Sequence, residues 1–140
     1  MIIEIPGQTR AKKNSMQIIT FGRSANAKRA IMSSKIYKAW EKNAIAHLTQ
    51  EYSNVKWMGT YPLEVCFFLC RENRRKWDID NVFCGCLDVL QQVGILEDDS
   101  ANHVIPVFSG WTIDKRNPRV MLKLRPITKT YYREDMEVLK

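Results

Sequence analysis

Short apolar segments along this chain are separated by glycine, proline and basic runs, and their periods predict a mixture of strands and helices. Ile2–Ile5 is a strand candidate closed by Pro6-Gly7, and Met16–Phe21 is a second, closed by Gly22. Gln8 to Asn14 and Arg23 to Arg29 are polar and basic, so both are predicted loops. A helix is predicted from Ser33 or Ser34, with a serine N-cap. Ile36, Trp40, Ile45 and Leu48 mark its apolar face, and Lys35, Lys38 and Lys42 its wet side. Pro62 to Cys70 is apolar, β-branched and aromatic, the pattern of a buried strand. After the basic loop Arg71 to Lys76, a second helix is predicted from Asp80 or Asn81, with Phe83, Cys86, Leu87, Leu90 and Val93 at helical spacing and Gly94 as its stop. His103–Phe108 and Arg119–Leu124 predict two further strands, joined by a hairpin or loop containing Gly110, Asp114 and Asn117-Pro118. Strands and helices do not alternate regularly, so the expected class is α+β: a small mixed sheet with two main helices. The 140 residues are expected to form one domain, with Tyr131 to Lys140 a charged tail.

Composition sharpens this picture. Hydrophobic residues make up 45%, ordinary for a globular protein, and no apolar run is long enough to cross a membrane. Met1-Ile2-Ile3-Glu4 reaches an acid at once, which is not a signal-peptide pattern, so a cytoplasmic location is expected. Cys66, Cys70, Cys84 and Cys86 read as reduced, small hydrophobes, because neither pair has the two-residue separation expected of a zinc site. The formal net charge of +7 lies entirely in residues 1–50, where nine Lys/Arg face two acids. The remaining ninety residues balance at thirteen of each sign. A basic arm of this kind tracks phosphates without reading sequence, although a solvated, solubilising face has the same composition.

The acids nevertheless concentrate in one region. Trp77-Asp78-Ile79-Asp80-Asn81 is followed about one helix later by Glu97-Asp98-Asp99-Ser100. Carboxylates that converge repel each other unless a cation lies between them. Magnesium is the expected cation, since a few carboxylates plus substrate phosphates satisfy it. Asp78 precedes the second helix and Asp80 stands at its start, where capping is the plain structural alternative. Asp88 lies further along the same helix, and a chain reversal after Gly94 is expected to return Asp98 or Asp99 towards Asp78 and Asp80. An acidic, metal-binding cluster in a basic chain predicts an enzyme acting on DNA or RNA.

Arg74-Arg75-Lys76-Trp77-Asp78-Ile79-Asp80-Asn81, then Leu87-Asp88-Val89-Leu90, then Gly94-Ile95-Leu96-Glu97-Asp98-Asp99, resembles the RusA family of Holliday junction resolvases across roughly residues 60–125. Lys12-Lys13-Asn14 is similar to the polar-basic loop after that family's first strand. The family's small endonucleases are often phage- or prophage-encoded. The resemblance implies a Mg²⁺-dependent homodimer, with Mn²⁺ as a substitute, that cuts four-way or branched DNA in recombination and repair, in a bacterial or phage-infected cell. It places the essential carboxylates on Asp78, Asp80 and Asp99, with Asn81, Asp88 and Asp98 in supporting positions. DNA contacts are expected from Arg71, Arg74, Arg75, Lys76, Lys12, Lys13 and Lys115, together with some of Arg23, Lys28 and Arg29. One position departs from the family pattern: Cys84 stands where a lysine usually follows the second aspartate by four residues. A junction-binding protein with little cleavage, a nuclease of broader branched-DNA specificity, and a plain basic DNA-binding domain are the alternatives.

Overall fold

The structure is a computed structural model that describes residues 1–10, 16–22, 28–33 and 35–127. Lys12, Lys13, Arg23, Ser34 and the tail from 131 lie outside the described residues. In chain order the elements are β1 (Ile2–Pro6), β2 (Met16–Phe21), β3 (Lys28–Ser33), α1 (Lys35–Glu51), β4 (Leu63–Arg71), α2 (Ile79–Gln92), β5 (Val104–Ile113) and β6 (Arg119–Pro126). Two helices and a four-stranded mixed sheet of order β1-β6-β4-β5 make a small α+β fold, and β2 and β3 pair as a separate antiparallel ribbon.

β4 organises the sheet. It pairs antiparallel with β6 on one side and parallel with β5 on the other, which explains its near-continuous apolar sequence. Leu63, Val65, Phe67 and Leu69 join the core formed with α1 and α2. On α2, Val82, Phe83, Cys86, Leu87, Val89 and Leu90 are buried, and the Phe83 ring stacks on Phe67 at 3.9 Å. Gly85, an unfavourable residue in a helix by propensity, has a packing reason here. A Cβ at this position would stand 3.2 Å from the Tyr37 ring of α1, so the missing side chain admits that ring. All four cysteines are free, and burial pushes the Cys86 thiol well above its ordinary range.

Three expectations need correction. The basic segment ending at Arg29 was expected to be a loop, but Lys28 and Arg29 begin β3, pairing with Phe21 and Thr20. β3 opens on two cations, and a two-stranded ribbon can pair without an apolar period, so composition hid this strand. Ile36 is 62% exposed rather than inward, because the buried stripe of α1 runs through Tyr37, Trp40, Ala44 and Leu48. Finally, β5 and β6 do not form a hairpin, since β4 lies between them. β5 continues to Ile113 past an irregularity in register, where Gly110 adopts φ +122° and keeps the strand paired beside Phe68.

One buried charge gives the first prediction. The Glu64 carboxylate is fully buried on β4 and meets the Arg125 guanidinium directly across from it on β6. Arg125→Met removes this counter-charge from a buried carboxylate and is expected to lower stability by about 3 kcal/mol. The urea midpoint measures it, and adding Glu64→Gln should recover most of the loss. A single variant as stable as the native protein would refute the pairing.

Candidate nucleic-acid interface and acid pair

β4 ends at Arg71, and the chain loops through residues 72–78 before α2 runs back antiparallel to it. This reversal sets Asp78 and Asp80 at the carboxyl end of β4. Asp78 takes the N-cap position of α2 with an extended backbone, φ −104° and ψ 124°, but makes no side-chain cap hydrogen bond. Its Oδ2 instead accepts a hydrogen bond from Asn81 Nδ2 at 3.3 Å. Asp80 lies in the first turn, and both aspartates are exposed. The backbone N–H groups and dipole of the helix N-terminus favour negative charge, which offsets part of the cost of holding two carboxylates together. Asn81 is buried, so its amide is positioned by the core.

Cations collect at the same end. Arg74, Arg75 and Lys76 are exposed on the loop, and Lys115 is exposed on the turn after β5. That turn is tied to β4 through the Asp114 N–H, which donates to the Arg71 carbonyl at 2.8 Å. The turn is closed by Asp114, whose carboxylate accepts from Arg119 Nη1 at 2.9 Å and from the Asn117 N–H. The Arg119 side chain first, then the Asn117 N–H, hold Asp114 below the usual carboxylate range. The segment after β1 arrives here too. The Gln8 side chain accepts from the Glu72 N–H at 2.9 Å, and Arg10 stands 3.7 Å from Glu72.

Arg71 differs from its expected place in an exposed loop. It is the last residue of β4 and only 6% exposed, with its guanidinium 4.8 Å from the Trp77 ring centre. Burial, and then the nearby Arg10, lower its pKa. Two further predicted residues are engaged in structure. Asp88 contributes to the field at Tyr37 on α1, where burial, and then Glu41, push the phenol well above its ordinary range. Asp98 accepts from the Asp99 N–H at 2.9 Å and stands 3.5 Å from His103. The Ser100 side chain first, and then that N–H and His103, hold Asp98 below the usual carboxylate range.

The expected return of Asp99 to Asp78 and Asp80 does not occur within one chain. The Leu63 N–H at the start of β4 donates to the His103 carbonyl, and the Glu97 N–H donates to the Tyr61 hydroxyl, so residues 97–103 pack at the amino end of β4. The fourteen residues of α2 separate the two ends by about 20 Å. Among the described residues, no group of three or more His, Cys, Asp or Glu side chains is arranged to hold a metal ion. The turn after Gly94 reverses the chain into β5, but it does so at the wrong end of the helix.

A family model described as Endodeoxyribonuclease RusA matches residues 6–125. The chain belongs to the RusA endodeoxyribonuclease family. A curated relative, the crossover junction endodeoxyribonuclease RusA of Aquifex aeolicus (strain VF5), is 32% identical over 87 residues. The match covers 62% of this chain and 66% of that relative, just under two thirds of its length. No helix among the described residues is long and apolar enough to cross a membrane.

The sequence reading of this RusA-family chain missed one feature beside the acid pair. Trp77, Phe108 and Trp111 gather there edge to face, with ring centres 6.1 and 6.3 Å from Trp77. The apolar pattern puts Phe108 at a strand end and Trp111 in the hairpin or loop that follows. Three residues apart, they would face opposite sides of a regular strand; the register irregularity beside Phe68 sets them opposite Phe67 and Leu69, on the side of α2, which the sequence period does not show.

Proposed function

We propose that this chain is a divalent-metal-dependent endonuclease that cuts four-way DNA junctions by phosphodiester hydrolysis, acting as a single domain in the cytoplasm. The observation that carries this reading is the Asp78–Asp80 pair, exposed at a helix N-terminus and flanked by Arg74, Arg75 and Lys76. Cations that hold phosphates beside carboxylates that hold a metal are the two halves of a phosphodiester-cleaving site. The curated relative's name, a crossover junction endodeoxyribonuclease, supports the substrate class.

Asp78 and Asp80 suit Mg²⁺ or Mn²⁺, because hard oxygen donors that remain open to solvent leave room for water and phosphate oxygens. The ion, when bound, supplies Lewis-acid stabilisation of charge on the phosphate and a more acidic water. Asn81 steadies Asp78 through its amide. Arg74, Arg75, Lys76 and Lys115 would hold the DNA backbone, with Lys12 and Lys13 as further contacts.

Asp99 enters the same reading through a second copy of the chain. It lies at the opposite end of α2 from Asp78, so a two-fold dimer with antiparallel α2 helices brings each Asp99 to the other chain's acid pair. Such a dimer has two equivalent sites, as two symmetric cuts in a junction require. The testing experiment is cleavage of a mobile synthetic junction beside matched duplex and flap substrates, with and without Mg²⁺. Metal-dependent cutting confined to the junction supports the reading, and equal cutting of flaps moves it to broader branched DNA. No metal-dependent cutting of any substrate refutes it.

Binding with slow cleavage is the second reading, favoured by Cys84. This half-buried residue lies one turn after Asp80 on α2, the spacing at which helix side chains are neighbours. A lysine there would offset carboxylate repulsion or meet the scissile phosphate, whereas a neutral thiol does neither. Cys84→Lys is expected to raise the single-turnover cleavage rate by up to about a hundredfold. An unchanged rate would mean that Lys76 or Lys115 already fills the role, and alanine at one of those positions would then be the damaging change.

A further inference from the structure

A run of aromatic rings leads from the core to the surface beside the acid pair. Phe67 stacks on Phe83, Phe83 stands 6.2 Å from Phe108, Phe108 meets Trp77, and Trp77 meets Trp111. The first two rings are buried, and the last is 42% exposed. Phe108 and Ile79 are each 41% exposed. Arg71 closes over the Trp77 ring at 4.8 Å, so Trp77 is held by a cation as well as by its neighbouring rings. The outermost indole is therefore supported from behind, and an exposed ring held in this way binds without a large loss of side-chain freedom.

What meets this surface is indicated by its rim. Trp111 lines a shallow cavity of about 320 Å³ with Arg74, Thr112 and Ile113. Arg75 and Lys76 follow on the same exposed loop, and Asp78 is the residue after Trp77. An apolar face rimmed by cations matches a flat base carried on a phosphate backbone. A two-fold contact centred on this patch would instead set Arg74, Arg75 and Lys76 against their own copies, which like charge opposes.

We propose that Trp111, backed by Trp77 and Phe108, is a stacking platform for a DNA base left unpaired at the branch point, placing the adjoining phosphate towards Asp78 and Asp80. This rests on reading the chain as a junction endonuclease. Matched duplex offers no unstacked base, so the platform adds affinity only for branched or opened DNA. Every base has a π-face, so the contact is tolerant of sequence.

The test uses the full chain without Mg²⁺, junctions carrying 2-aminopurine at each branch-point position, and Trp111→Phe, Trp111→Leu and Trp111→Ala. Native protein and Trp111→Phe should change the emission of at least one branch-point probe. Trp111→Leu, which keeps apolar bulk without an aromatic face, and Trp111→Ala should abolish that change. Both should weaken junction binding about tenfold while altering duplex binding by a factor of about two at most. Unaltered probe emission and junction affinity in the leucine variant would overturn the platform while leaving the junction reading intact. A lighter species in sedimentation for that variant would overturn it in favour of a contact between copies of the chain. Native protein that prefers neither junction nor flap to duplex refutes the underlying reading, and the platform with it.

Discussion

Asp78→Asn and Asp80→Asn should each slow cleavage of a four-way junction by about a thousandfold or more while leaving junction binding unchanged or tighter. Each substitution keeps the size of the side chain and removes one negative charge. The loss falls on the metal and on stabilisation of the phosphate, steps that require a charged oxygen donor. Binding is governed by Arg74, Arg75, Lys76 and their neighbours, and it loses a repulsive carboxylate near the phosphates. Folding is little affected, because both side chains are exposed and an asparagine amide oxygen at position 78 can still accept from Asn81 Nδ2. The measurements are single-turnover cleavage at saturating enzyme and equilibrium junction binding. A variant that cuts at the native rate would remove its residue from the site. Equal losses of binding and cleavage would assign it a role in holding the fold or the DNA.

Mixing inactive Asp78→Asn and Asp99→Asn proteins should restore cutting if each site draws on both chains. In a mixed dimer, one site then carries both substitutions and the other carries neither. Random exchange makes half of the dimers mixed, so recovery to about a quarter of the native site concentration is expected. If all three carboxylates came from one chain, every site in the mixture would carry a substitution and no activity would return. The separation of about 20 Å along α2 is the physical basis for expecting recovery. The assay is nicking of a labelled junction after subunit exchange, read against each variant alone. Nicks should outnumber paired cuts, since each mixed dimer keeps one working site. Failure to recover, with exchange verified by mass, would refute the shared site.

The amino-acid pattern alone determined the local structure around the acid pair. The apolar run ending at Cys70, the Asp78–Asp80 spacing and the helical repeat from Phe83 to Leu90 specify a buried strand, a loop and an amphipathic helix. Each is a short-range property, set by side-chain period and by the residues that start and stop an element. The same stretch carries the family resemblance, which the match over residues 6–125 bears out.

Tertiary structure decided which ends of those elements meet. The sequence is equally consistent with Asp99 beside Asp78 or a helix length away, because a reversal after Gly94 says nothing about where the next strand starts. Pairing of β5 parallel to β4 settles it, since a parallel strand must begin at the end where β4 begins. That pairing also decided between the hairpin and the loop expected after β5, setting β5 and β6 on opposite sides of β4. It carried Trp111 to Trp77 as well, although thirty-four positions separate them in sequence. Burial of Arg71 was likewise hidden: it opens a basic run in sequence, yet it is withdrawn from water with Trp77 folded back over it. Periodicity reports the face a residue presents on its own element. Contacts between elements depend on sheet order and strand direction, which many sequences with the same local pattern satisfy differently.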